Sequence, residues 1–480
     1  MQSLAMLPRS LKWTIGILLA LALAATANLW IHPVVDNGFD FQAFYCGGAV
    51  IAERANPYLD QPLHDCEAQA APALSRKFQN VTVPAPLPPY ALAFFVPLSL
   101  LPFLWAKIVW WLILLASIAV SAWVVARLSR LPLPCAIAAS ALAIGMPSIP
   151  QGGLAPVPIA LLFLAAYFAR RERWTATVVC GALAMIEPHV ALPVDAALFL
   201  FVPAVRWRFA VAALALAVLS LCVAAPYTSL FYFTSLLPHH AASEVNNLAQ
   251  FSLTTLLYHL GIPAATAVRI GSVQYALMLI VGVSLGHHIA RRYGDRAFLV
   301  AVPAACSVMG GSFIHLSEIA VATLLACMLA SRTGANRAWI AVALLAVPWE
   351  NVINWAPFAT IAPACLIVLV WWRWKPMPLL LITASITLVL FFARAHILEV
   401  GAMTQTFVST SHIRKPAPDA PVDVTWKAFN DTSIVFSIWW FDKAMTFAGL
   451  GLLLASGMQA YGAVSLRSAP VGNRHPTRVG

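Results

Sequence analysis

Long apolar runs recur from one end of this 480-residue chain to the other, and its basic residues collect in short clusters between them. The clusters are Arg9/Lys12, Arg127/Arg130, Arg170/Arg171/Arg173, Arg206/Arg208, Arg291/Arg292/Arg296, Arg332/Arg337, Arg373/Lys375 and Arg467/Arg474/Arg478, which together hold 19 of the 29 Lys and Arg residues. Positive loops stay on the cytoplasmic side of a membrane, so the chain crosses outward and back between neighbouring clusters. Of the 18 acidic residues, only Glu172 and Asp295 share those loops. A soluble domain carries roughly 25% charged residues; here 61% are hydrophobic and 10% charged, too few charges to cover a water-facing surface. A soluble enzyme, a secreted disulfide scaffold and a disordered chain are excluded. The net charge of +11 belongs to the cytoplasmic loops and is no sign of nucleic-acid binding.

A spanning helix needs about 20 mostly apolar residues. The first candidate covers 13–31 and reads as a retained anchor, because it lacks a small-residue cleavage site before His32. Further spans are expected near 103–126, 133–149, 156–169, 175–190, 191–205, 208–226, 264–290, 297–313, 316–331, 338–353, 356–372, 377–395 and 435–464. Several are short for a full crossing. The expected fold class is an all-α polytopic membrane protein with about 12–14 spans, both termini cytoplasmic and interfacial helices on the outer face. Its parts are a transmembrane module over 1–395 with a large first outer loop (32–101), an outer loop over 396–434, a last spanning helix at 435–466 and a cytoplasmic tail at 467–480.

Nine of the twelve histidines fall in or beside outer segments: His32, His64, His189, His239, His240, His259, His315, His396 and His412. Ionisable groups near membrane depth are costly and mark pathways or sites, so a site at the outer boundary is expected. The sharpest local feature runs from Asp36 through Asp40 to Tyr45, just beyond the first span. A carboxylate there either caps a short interfacial helix or takes a proton from an acceptor hydroxyl, and the residues alone leave both open. Asn56-Pro57-Tyr58 reads as a turn that returns the loop toward the membrane. Cys46 and Cys66, in an outer loop, are either a disulfide or two unpaired thiols. Trp110/Trp111, Trp371/Trp372/Trp374 and Trp439/Trp440 read most simply as interfacial belts. His239-His240 is a weak metal hint without an accompanying carboxylate–His spacing, so no metal ligand is assigned, and whether a divalent ion assists stays open. The absence of a GxxxxGK[ST] or GxGxxG cradle argues against a nucleotide as direct donor.

Asp40-Phe41, then Tyr45, a run of small residues and Asn56-Pro57-Tyr58 resemble the opening motif of glycosyltransferase family 87. Pro86-Leu87-Pro88-Pro89-Tyr90, Val96-Pro97-Leu98 and Leu101-Pro102 are similar to that family's Pro-rich segment. Pro150-Gln151-Gly152-Gly153 looks like its Gly-Gln loop, and Ser312-Phe313-Ile314-His315 like a late motif with a His at an outer helix end. The resemblance covers roughly residues 36–320. It implies a GT-C fold in the inner (plasma) membrane and a polyprenyl-phosphate sugar as donor, with no other cofactor. The sugar would be mannose or arabinose, the acceptor a cell-envelope glycan or glycolipid, and the site on the outer face. By the same resemblance Asp40 is the general base of an inverting displacement, with Asp36 its neighbouring substitute. His315 acts near the donor phosphate or acceptor, and Tyr45, Gln151, Glu187 and His189 bind substrate. One departure stands out: where the family usually shows Lys-Pro, this chain has Glu187-Pro188. Either His189 or another cation then meets the donor phosphate, or Glu187 binds acceptor hydroxyls. The competing class is a transporter or lipid-linked-sugar flippase, which would show inverted repeats or paired broken helices around a midplane site; the sequence shows neither.

Overall fold

The computed structural model describes residues 38–72, 80–247, 249–348, 413–432 and 439–462. The expected first span at 13–31, Asp36, the spans at 356–372 and 377–395, Trp371/Trp372/Trp374 and the tail at 467–480 lie outside the described residues. Every regular element among the described residues is a helix, beside two isolated bridges, Leu59 with Pro421 and Gln250 with His315. The chain is an all-α polytopic membrane protein.

Four helices among the described residues are long and apolar enough to cross a membrane: Phe103–Ser129, Pro203–Val223, Ala264–Tyr293 and Leu316–Thr333. Their ends follow from local chemistry. Pro102 and Pro263 precede two of them, fixing the entry without a backbone donor to satisfy. Gly294 closes Ala264–Tyr293 and Gly334 closes Leu316–Thr333, both in the left-handed conformation, and Arg291 and Arg292 lie in the last turn of Ala264–Tyr293, where a cation meets the helix dipole. Pro203–Val223 is almost wholly exposed, with Leu214, Val218 and Leu221 on its surface; an apolar face of that extent belongs in lipid. At the centre lies Phe298–Ser307, all of whose residues are buried, packed by Pro156–Arg170, Pro188–Phe201, Ala264–Tyr293 and Ala322–Thr333.

Seven more apolar helices are too short to cross alone. The expected spans at 175–190 and 191–205 are in fact Trp174–Ala184 and Pro188–Phe201, joined by a turn at Met185–Glu187. Pro188 at the first helical position has no N–H for the preceding turn, so the chain breaks there. Eleven residues rise only ~16 Å, against a hydrocarbon thickness of about 30 Å. The turn is therefore sunk well inside the molecule. Two further irregularities have the same kind of cause. The π-helical turns Ala141–Gly145 and Tyr232–Leu236 come just before Pro147 and Pro238, whose rings exclude the regular bond to the carbonyl four residues back.

At one end of the molecule Arg170 and Arg332, from two of the basic clusters, meet a single carboxylate. Arg170 Nε and Nη2 donate to Asp295 at 3.0 and 2.5 Å, and Arg332 Nη2 donates at 2.6 Å. Asp295 also accepts the Ala297 amide at 3.1 Å, and Arg170 reaches the Leu128 carbonyl at 3.1 Å. The ends of the Phe103–Ser129, Pro156–Arg170 and Ala322–Thr333 helices are thereby tied to the loop ahead of Phe298–Ser307. Asp295→Asn leaves two guanidinium groups facing each other without a counter-charge. The expected loss is on the order of 2–4 kcal/mol, read as a lower Tm in detergent; an unchanged Tm would show that this knot does not hold the end together.

Candidate active site

At the opposite end a cavity of about 880 Å³ opens among the helix ends. Asp40 enters it from the first turn of Phe39–Ala52. The start of that helix is built by another loop: the Gln151 carbonyl accepts the Asp40 and Phe41 amides at 3.1 and 3.4 Å. Gly38 (φ 109°) and Gly152 (φ 71°) make this junction possible, since a Cβ on Gly152 would lie 2.8 Å from the Phe41 Cβ and 2.9 Å from the Trp111 ring. Trp110 Nε1 donates to the Gly152 carbonyl at 2.8 Å, and the Phe41 ring stacks on Trp110 and Phe103. Trp110 and Trp111, expected in an interfacial belt, are instead buried: they face the loops at the site, not lipid. A disulfide between Cys46 and Cys66 and a bond from Gln42 Nε2 to the Glu67 carbonyl (2.7 Å) brace the same helix from the outside. The Asn56 carboxamide accepts the Tyr58 amide at 3.1 Å, the turn expected there.

Across the cavity stands a network of acids and histidines. His315 precedes Leu316–Ile319 and forms a reciprocal cap with Glu318; its Nδ1 lies 3.3 Å from Glu318 Oε1 and its Nε2 3.4 Å from Glu244 Oε2. His189 Nε2 reaches Glu318 Oε2 at 2.9 Å, while the His189 carbonyl accepts the Tyr275 hydroxyl at 2.7 Å. Glu244 accepts from Trp426 Nε1 (2.5 Å), Asn247 Nδ2 (2.8 Å) and Gln250 Nε2 (2.9 Å). His240 Nδ1 meets Asp423 Oδ1 at 2.8 Å.

The electrostatics follow from these contacts. Dehydration in the cavity pushes the Asp40 carboxyl up to about 7; the charge of His315 works against this and that of Glu244 adds to it. Burial works against a charged His315, yet its bonds to Glu244 and Glu318 hold it well above its ordinary value. Burial would raise Glu244, but His315, His240 and the Trp426 indole hold it down at about 2. The chemistry available is thus a carboxylate poised near neutrality, facing an imidazolium anchored by fixed carboxylates.

The family model that matches this chain is that of glycosyltransferase family 87, over residues 87–314. The match indicates a membrane glycosyltransferase. The resemblance of the motifs to family 87 holds over that stretch, which contains Gln151, Glu187, His189 and Glu244; Asp40 and His315 stand outside it. No curated protein and no solved structure matches the chain.

Of the site residues expected from the sequence, Asp40, Gln151, Glu187, His189 and His315 all line the cavity. Gln151 also acts through its backbone carbonyl, which a side-chain motif does not reveal. Tyr45 does not line it: its hydroxyl donates to the Leu101 carbonyl at 2.9 Å and its ring packs on Phe103, a bracing role set by its position one and a half turns beyond Asp40. Four participants carried no assigned role. Glu318 was legible only as the acid three residues after His315, the spacing of a capping box. Glu244 sat among other polar residues of its loop. Asp423 and Trp426 come from the helix Asp423–Asp431, in a segment read as plain outer loop, which supplies Trp426, Phe429 and Asn430 to the cavity wall.

Gly152→Ala tests the junction that carries Asp40. A left-handed residue with a Cβ costs about 1–2 kcal/mol, and the methyl would displace Phe41 and with it Asp40. A lower Tm is expected together with at least a tenfold fall in kcat for sugar transfer; wild-type kcat would refute the coupling of the loop to Asp40.

Proposed function

We propose that this protein transfers a sugar from a polyprenyl-phosphate donor to a hydroxyl of a cell-envelope glycan or glycolipid, in a GT-C-type site on the outer face of the inner membrane. Asp40 takes the proton from the acceptor hydroxyl as that oxygen attacks the anomeric carbon. The bond from that carbon to the phosphate oxygen breaks, its electron pair leaving with the polyprenyl phosphate, and configuration inverts. The observation that carries this reading is the Asp40 carboxyl, raised to about 7 at the mouth of a cavity whose far wall holds His315 between Glu244 and Glu318. A base with that affinity is about half ionised at pH 7 and remains basic enough to take the proton. His315, kept protonated by its two carboxylates, supplies a positive group for the departing phosphate.

Two features support a lipid-linked donor and an outer site. The cavity wall includes Phe233, Val268 and Ser272, and Phe233 is mostly exposed on the apolar surface, giving a prenyl chain a sideways approach. The Cys46–Cys66 disulfide suits an oxidising compartment, while the basic clusters at the other end suit the cytoplasmic face. Mannose and arabinose remain the two sugars to test.

The test is transfer from synthetic polyprenyl-phosphate mannose or arabinose in detergent. Asp40→Asn is expected to lower kcat/KM by about 10²–10⁴ with an unchanged Tm. The wild-type kcat/KM falls as pH drops through about 7, because the base must be ionised to accept a proton, and it levels off above. Transfer that survives Asp40→Asn would overturn Asp40 as the base.

A further inference from the structure

Glu187, His189 and Glu318 each offer one ligand atom, and these atoms lie within 4.8 Å of one another. His189 Nε2 and Glu318 Oε2 are already paired at 2.9 Å. Glu187 is different. Only 9% of it is exposed, it lines the cavity, and its carboxylate accepts no hydrogen bond among the described residues: Glu318, His189 and His315 act on it through charge alone. A buried carboxylate facing another carboxylate is costly unless a cation lies between them. No Lys or Arg among the described residues lines this cavity; the cationic groups beside Glu187 there are the imidazoles of His189 and His315, and both are already shared with Glu318.

We propose that Glu187, His189 and Glu318 form a binding site for a divalent cation of the Mn²⁺ type. Carboxylate oxygens suit Mn²⁺ and Mg²⁺, while an imidazole ligand favours a transition ion over Mg²⁺ or Ca²⁺. Around an octahedral ion with ~2.1 Å bonds, neighbouring ligands lie about 3.0 Å apart and opposite ones about 4.2 Å; the 2.9 Å between His189 and Glu318 suits a neighbouring pair, and Glu187, within 4.8 Å of both, has to move inward to join them. The ligands are held from behind, as good metal ligands are. The second oxygen of Glu318 faces His315 Nδ1 at 3.3 Å, and the His189 backbone is fixed by Tyr275. Three protein ligands leave the positions toward the cavity open, as catalytic sites do and structural ones do not. On the donor reading above, one of these positions accepts a phosphate oxygen of the lipid-linked sugar; binding of the ion itself does not depend on that reading.

The experiment uses the full-length protein, purified in detergent and stripped with chelator, with Mn²⁺ added and free ion followed by electron paramagnetic resonance. One Mn²⁺ per chain is expected, with Glu187→Gln weakening binding at least tenfold. Because Glu318 also caps a helix, Glu318→Gln serves as a second variant only if its Tm and elution profile match wild type, and His189→Gln as a third. Wild-type protein that takes up no ion at millimolar Mn²⁺ would overturn the site, as would Glu187→Gln and His189→Gln proteins that bind it as wild type does. Sugar transfer is measured separately on the stripped protein. Mn²⁺ binding with no transfer once the ion is restored supports the site and counts against the donor; full transfer by the stripped protein supports the donor and overturns a part for the ion in the reaction, while the site itself stands or falls on the binding measurement.

Discussion

Asp295, buried beneath Arg170 and Arg332, sets the level from which the rest of the molecule is measured. Three helix ends and a loop converge on that carboxylate, and a displaced guanidinium there would leave a charge without a partner in an apolar interior. With the lower ends fixed, the lengths of the helices determine where their upper ends fall. Phe103–Ser129 rises past the site and carries Trp110 and Trp111 to its level. Trp174–Ala184, Pro188–Phe201 and Pro156–Arg170 stop short. The space above the shorter helices is the cavity, so its floor is a consequence of prolines at 156 and 188 as much as of any side chain lining it.

Within that space charge is arranged in a sequence. His315 is shared by Glu244 and Glu318, Glu318 is shared in turn by His189, and Asp40 faces the group from the opposite wall with burial as its dominant influence. Glu244 and Glu318 are spoken for by hydrogen bonds, whereas the carboxyl groups of Asp40 and Glu187 accept none among the described residues. That contrast separates residues which position from residues with capacity left for a ligand. The helix Asp423–Asp431 completes the wall by setting Asp423 against His240 and Trp426 against Glu244, which explains why a polar segment distant in sequence is part of this enzyme's working end.

Much of this was legible in the sequence because hydropathy and cytoplasmic charge act locally. The long Phe103–Ser129 and Ala264–Tyr293 helices, the grouping of polar residues at one end and the turn at Asn56 follow from nearest neighbours. The pairing of Cys46 with Cys66 was one of two open alternatives. What could not be read depends on contacts between distant segments. Gln151 caps the Asp40 helix with a carbonyl that every residue possesses. The ligand set of Glu187, His189 and Glu318 has its third member 129 residues from the second, so no spacing announces it. Trp110 and Trp111 have the composition of an interfacial belt, and only packing against Phe41 and Gly152 turns them inward.

The short rise of Trp174–Ala184 has an electrical consequence. The polar groups above Met185 and the Asp295 knot below are separated by only about three helical turns, filled by buried apolar residues such as Leu162, Val178, Val194 and Val302. In the same layer the Pro188–Phe201 helix carries the Asp195 carboxyl, beside Gly181. A layer this thin concentrates any voltage applied across it, at about 2.3 kcal/mol per charge per 100 mV, so a charge held there, on Asp195 or by substitution at Val178, is the one that would feel such a field.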